Sequence, residues 1–123
     1  MENSKLSLII AIVNSGFAEL VMDTAKAEGV RGGTITHCRG TSNESMAKKY
    51  GVYVTPDKEM VWIVASKDIV DNVLKAIHLK ISDANPGQVF VFSMPVENAI
   101  GFKLNTDDTD SLNDLNKTEK VEK

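Results

Sequence analysis

The chain has 123 residues, enough for one domain, and a formal net charge of −3. Residues 1–103 hold eleven basic and eleven acidic side chains, so the excess lies in residues 104–123, where Asp107, Asp108, Asp110, Asp114, Glu119 and Glu122 outnumber three lysines. That balance excludes an overall basic footprint for nucleic acid, and the single cysteine, Cys38, excludes an intrachain disulfide framework.

The first residues lack the basic region of a secretory leader, and no apolar run approaches the ~20 residues of a membrane span. The expectation is a soluble, cytoplasmic protein in a reducing compartment. Leu6 to Val13 (LSLIIAIV) is almost continuously apolar and predicts a strand buried on both faces. Asn14-Ser15-Gly16 stops it and offers N-cap side chains to a helix over about Phe17–Glu28. Phe17, Leu20, Val21 and Thr24 share one face of that helix, and Gly29 suits its C-terminus.

A second strand is predicted over about Gly33–Arg39, where Thr34-Ile35-Thr36 alternates. Thr41–Asp57 follows as a polar, charged excursion. Hairpin loops are usually about two to five residues, so one of roughly three times that length is commonly functional or disordered. Lys58–Ala65 (KEMVWIVA) is the third strand. Ser66 caps a second helix with Asp68 near its positive end and a buried stripe of Ile69, Val70, Val73, Leu74, Ile77 and Ile81. A turn cluster over Ser82–Gly87 leads to a fourth strand, Gln88–Val96, whose Pro95 suits an edge or a strand end. From Leu104 onward the composition is too polar to offset its ordering entropy, so 104–123 reads as a disordered acidic tail beside one domain over 1–103.

The order β-α-β-β-α-β is that of the ferredoxin-like split βαβ, an α+β sandwich with a four-stranded antiparallel sheet and two helices on one face. The two-sided apolar strands, first and third, belong in the centre; the second and fourth belong at the edges. Two helices cover one face only. The first strand offers Leu6, Leu8, Ile10 and Ile12 on one face and Ile9, Ala11 and Val13 on the other, the third Met60, Trp62 and Val64 against Val61, Ile63 and Ala65, and the fourth Phe90, Phe92 and Met94 against Val89 and Val91. Whichever face the helices leave open is a larger apolar patch than soluble monomers usually expose, which predicts a homo-oligomer packing these faces together.

No Ser-His-Asp pattern, paired carboxylates or HExxH is present, so an enzyme is not expected. His37 and Cys38 read as an edge-strand histidine beside a small cysteine rather than a metal site. Basic groups flank the long loop at Arg31, Arg39, Lys48, Lys49 and Lys58, and the amides of the Asn85-Pro86-Gly87 turn could approach an anion. From spacing alone, phosphate binding and a solvated basic face both fit.

The run Gly32-Gly-Thr34-Ile-Thr36-His-Cys-Arg39-Gly40, the long loop, Pro56 to Val64, Asp68-Ile-Val-Asp-Asn-Val73 and Pro86-Gly-Gln-Val-Phe-Val-Phe92 resemble the PII nitrogen-regulatory signal-transduction family. The resemblance covers roughly residues 6–103. It implies a ferredoxin-like fold assembled as a homotrimer with sheet faces inward, binding ATP or ADP in clefts between subunits. A T-loop, here Thr41–Asp57, would dock on a protein target, a membrane transporter among the kinds of target, with no membrane insertion of its own. By position, Thr34 matches a threonine near the adenine, Gly40 marks the loop base, Lys58 sits at its closing side, and Gly87 belongs to a phosphate-binding turn. Arg39, Lys58 and Lys103 are the implied phosphate cations. Glu44, Lys48, Lys49, Tyr50 and Tyr53 are the implied partner-facing residues of the loop.

The chain also departs from the family. Its loop is shorter, Gln88 stands where a lysine is usual, and Gly101-Phe102-Lys103 replaces a pair of arginines. Each lost cation removes a charge-assisted contact, which implies weaker ATP binding or a different ligand. Two rivals share the architecture. A trimeric metal-responsive protein of the divalent-cation-tolerance type needs a convergent His/Cys/carboxylate set, which is not evident. An RNA-binding module needs an aromatic RNP pattern and a basic sheet, which are absent.

Overall fold

β1 (Leu6–Asn14) lies at the heart of the sheet because it is apolar on both sides and can be flanked on both edges. In the computed structural model, which describes residues 5–41, 56–85 and 88–102, it pairs antiparallel with β3 (Asp57–Ser66) and with β4 (Val89–Pro95). β2 (Thr34–Arg39) pairs antiparallel with β3, so the sheet order is β2-β3-β1-β4. The two-sided strands are central and the other two are edges, as their patterning predicts. Two helices, α1 (Ala18–Ala27) and α2 (Lys67–Ala84), complete the ferredoxin-like βαββαβ arrangement. The polar excursion over 42–55, Pro86, Gly87 and the acidic tail lie outside the described residues, and so do the expectations placed on them.

Alternation sorts each strand into two sets. Ile9, Ala11 and Val13 of β1 and Val61, Ile63 and Ala65 of β3 point to the helices. They meet Ala18, Val21, Met22 and Ala25 of α1 and Val70, Val73, Ile77 and Ile81 of α2. Ile9, Ile63, Ile77 and Ile81 are fully enclosed, and enclosure of such a side chain stabilises by about 1.5–3 kcal/mol. The buried face of α1 is rotated slightly from the predicted one. Phe17 and Leu20 only flank the core, and Thr24 turns its hydroxyl to donate to Leu20 O at 2.7 Å. Small Ala18 and Ala25 instead let the helix lie close against the sheet.

The helix ends separate local from distant signals. Ser66 caps α2 as expected, its Oγ accepting from Asp68 N at 3.3 Å. α1 closes on Gly29 at φ +108°, with Gly29 N donating to Lys26 O and Val30 N to Ala25 O, a Schellman arrangement. α2 runs to Ala84, into the predicted turn cluster, and Asn85 N still donates to Ile81 O at 2.7 Å. At the start of α1 the expectation fails. The N-cap residue is Phe17, and no side chain of its own segment caps the helix. Glu59, from β3, does so instead: its Oε1 accepts from Gly16 N at 2.9 Å and Ala18 N at 3.2 Å. The carboxylate is nearly buried, at the positive end of the helix, with His37 Nδ1 3.6 Å from its other oxygen.

The other sheet face carries Leu8, Ile10, Ile12, Met60, Trp62, Val64, Phe90, Phe92 and Met94, and neither helix covers it. Ile10 lies between Trp62 and Phe92 in register and is only 4% exposed, whereas Phe90 is 62% exposed. The Phe90 and Phe92 rings stack at a tilt, 5.1 Å between centroids.

Replacing Glu59 tests the long-range cap. Glu59→Ala leaves two amides at the start of α1 without their acceptor and should destabilise the protein by about 2 kcal/mol. Urea denaturation at fixed protein concentration measures this; an unchanged midpoint would remove Glu59 as the cap.

Candidate functional site

Those predicted site residues that the structure describes fall into two groups at different positions along the sheet. The first group surrounds the entry to β2. Gly33 brings the chain in against β3 so closely that a Cβ there would lie 2.6 Å from the Trp62 carbonyl oxygen and 3.0 Å from both Ile63 Cγ1 and Met22 Sδ. Only glycine fits such an approach. Thr34 then pairs with Trp62 across the β2–β3 ladder. Trp62 Nε1 donates to Thr36 Oγ1 at 3.0 Å, which pins the indole over β2. After β4 the chain returns, and Gly101 and Phe102 close a cavity of about 400 Å³ together with Arg31, Gly32, Gly33, Thr34, Trp62 and Val64. Its walls are an aromatic ring pair, an aliphatic side chain and backbone, with a hydroxyl and a guanidinium at hand. That chemistry suits a planar, partly apolar group.

The second group lies four residues further along β2 and β3, roughly 13 Å away at the rise of a strand. Gly40 N donates to Pro56 O at 2.8 Å and joins the two ends of the long excursion. Cys38, Lys58 and Asn14 stand opposite one another in register across β2, β3 and β1. Lys58 Nζ donates to Asn14 Oδ1 at 2.6 Å, and Asn14 Nδ2 donates to Gln88 Oε1 at 3.3 Å. A polar row therefore crosses the sheet end from the loop base to the entry of β4.

Thr34 belongs to the first group; Gly40, Lys58 and Gln88 belong to the second. Arg39 pairs with Asp57 at the same end, but alternation turns it to the helix-facing side, opposite Lys58. The exit of β2 and the entry of β4 share an end of the sheet, yet β3 and β1 stand between them within one chain. Gly87, Lys103, Glu44, Lys48, Lys49, Tyr50 and Tyr53 lie outside the described residues. Among the described residues no three His, Cys, Asp or Glu side chains stand together as a metal site would need. A wider groove of about 710 Å³ runs between α1 and α2, lined by Leu20, Asp23, Thr24, Leu79, Lys80 and Asp83 among others, and contains none of the predicted residues.

Asn14, Trp62 and Phe102 are the residues that the sequence reading did not place in a site. The signal for Asn14 was alternation. Lys58 shares a face with Met60, Trp62 and Val64, so a half-buried ammonium needs an acceptor on the neighbouring strand. Asn14 shares a face with Ile10 and Ile12 and is the residue in register.

The fold and the placement of these groups define a ferredoxin-like sandwich in which Gly40 and Pro56 meet at one end of the sheet. A family model for nitrogen regulatory protein P-II matches residues 6–105, and the chain belongs to that family. Among solved structures it is similar to Arabidopsis thaliana PII bound to citrate, at 26% identity and TM-score 0.61, covering 79% of this chain and 82% of that one. Two further structures share the fold. A DUF3240 family protein from Shewanella baltica has 17% identity and TM-score 0.61 over 81% of this chain and 99% of its own. A putative PII-like signaling protein from Thermus thermophilus has 18% identity and TM-score 0.55 over 74% and 85%. No described helix is long and apolar enough to cross a membrane.

The two neighbouring glycines at the cavity give a paired test. Gly33→Ala should destabilise the protein by about 2–3 kcal/mol through backbone overlap, whereas Gly32→Ala, with nothing within 4 Å of its Cβ, should stay within about 0.5 kcal/mol. Equal thermal midpoints for the two variants would contradict the close approach at Gly33.

Proposed function

We propose that this P-II family member is a signal-transduction protein that senses an anionic small ligand, an adenine nucleotide first among them, and regulates a protein partner through its T-loop, residues 41–57. In this reading the protein is a homotrimer and the ligand lies in clefts between subunits. The carrying observation is the split of the site. A cavity suited to a planar ring surrounds Thr34 and Trp62, and a cation-bearing row with the loop base lies about four strand residues away. The floor between them is Thr36 and Met60, and the Thr36 hydroxyl already accepts from Trp62. A second copy packed on the uncovered apolar face supplies the missing wall and brings one half-site towards the other. Burying that face also supplies a hydrophobic driving force for assembly.

Thr34 meets the base in this scheme. Lys58 and Lys103 supply positive charge to the phosphates, Gly87 lets its turn approach them, and Gln88 adds a polar contact; Arg39, which alternation turns to the other face, drops out of the phosphate set. Gly40 marks where ligand contact passes to the loop. Glu44, Lys48, Lys49, Tyr50 and Tyr53 form the surface offered to the partner. Switching requires that the ligand bind two loop states with different affinity, because equal affinity shifts no equilibrium. An order–disorder change of the loop is the simplest such pair of states. The role is regulatory, in the cytoplasm, and involves no chemical step.

Trp62 is the one tryptophan of the chain and lines the cavity, so its fluorescence reports occupancy. Titration with ATP, ADP and AMP should change that emission and saturate at one nucleotide per chain. Light scattering should give a mass three times the 13.4 kDa of the chain. Silence towards all three nucleotides would overturn nucleotide sensing. Phe90→Asp separates assembly from folding, because the ring is 62% exposed in one chain. Folded monomers are the expected result, and an intact trimer would contradict packing through this face.

A further inference from the structure

We infer that Asn14 sets the ligand selectivity of the loop-base half-site by fixing which atoms Lys58 and Gln88 present; the inference rests on the reading of that site given above. The argument is one of donors and acceptors. An ammonium group only donates, so Lys58 Nζ, at 2.6 Å, must take the oxygen of the Asn14 amide. The Asn14 nitrogen, which also only donates, is then left for Gln88, which has to turn its own oxygen inward, at 3.3 Å. The Gln88 amide nitrogen therefore points away from Asn14, towards the rim of the sheet. One positive charge on β3 orients two side-chain amides in succession, and the row ends on a donor.

The place of the row in the sheet gives this orientation its force. Lys58 and Asn14 are half-buried, so their bond is less exposed to competing water than a surface pair. Within the described strands Lys58 is the one cation on the uncovered face, since Arg39 has the opposite alternation. A ligand arriving at this end meets an ammonium and an outward amide donor, and no outward acceptor from Asn14 or Gln88. Carboxylate and phosphate oxygens are favoured, and ligand groups that donate are not. Asn14 is thus a positioning residue: it holds the cation on one side and aims the donor on the other. Gln88 in turn serves as an oriented neutral donor at the entry to β4.

Asn14→Asp is the informative substitution because it preserves shape. A carboxylate accepts from both neighbours, so Lys58 stays held while its charge is offset, and Gln88 must reverse and show its oxygen to the ligand. In the full-length protein, affinity for ATP and for inorganic tripolyphosphate should fall about tenfold or more. Affinity for adenosine, which has no phosphate, should not change, nor should the mass in solution. If wild-type protein binds the phosphate probes and Asn14→Asp binds them equally well, the inference fails and the site stands. If wild-type protein binds neither probe, the site reading fails and takes the inference with it. A ligand-free measurement addresses the row alone. Lys58→Met should shift the Gln88 side-chain amide resonances in the wild-type background and leave them in place when Asn14 is already alanine. A Gln88 signal indifferent to Lys58→Met in both backgrounds would overturn the relay.

Discussion

Two helices can cover only one face of a four-stranded sheet, yet β1 and β3 are apolar on both faces. That mismatch governs the rest of the molecule. One set of alternating residues, Ile9 to Val13 and Val61 to Ala65, builds the core with α1 and α2. The other set, from Leu8 and Ile10 across to Trp62 and Phe92, lies on the face away from both helices. The same alternation places Thr34, Trp62 and Lys58 on the uncovered side and Glu59 and Arg39 on the other. Core, open face and both half-sites therefore follow from one register. Slipping β3 by one residue would turn its apolar set, its capping carboxylate and its ammonium to the wrong sides together.

Four polar residues at one end of the sheet, Asn14, Lys58, Glu59 and Gln88, have hydrogen-bond partners distant in sequence. Glu59 caps α1 from across the core, and Lys58, Asn14 and Gln88 bridge three strands. Consecutive positions of β3 thus serve opposite faces: Lys58 addresses the open face and Glu59 the start of α1. The preceding peptide, between Asp57 and Lys58, ties the start of β3 to the turn after β1, since Ser15 N donates to Asp57 O at 3.2 Å.

Much of the fold was legible because it depends on patterns that one strand or helix carries by itself. Two-sided apolarity put β1 and β3 in the centre, Pro95 fitted an edge strand, and Ser66 and Gly29 marked helix ends through their own backbone chemistry. The start of α1 was misread because Asn14, a fitting local cap, has a stronger demand on it from a half-buried ammonium 44 positions away. Glu59 looked like an ordinary charge near the beginning of a strand, and nothing beside it in the chain reveals the two amides that it accepts from. For the candidate site the sequence offered residue types and a resemblance. That Thr34 and Lys58 stand at two different positions on the sheet depends on register across β2 and β3, which the residues between those strands hide from any local pattern.

If the proposed half-sites work together only across a subunit boundary, mixed assemblies will reveal it. One variant carries Thr34→Arg, which obstructs the cavity, and the other carries Lys58→Glu, which reverses the charge of the loop-base row. Each alone should fail to bind ATP. After the two are unfolded and refolded together, hybrid assemblies contain some clefts built from the intact half of each chain, and ATP binding should return in part. Hybrids that form, by mass, and still bind nothing would contradict a site shared between subunits.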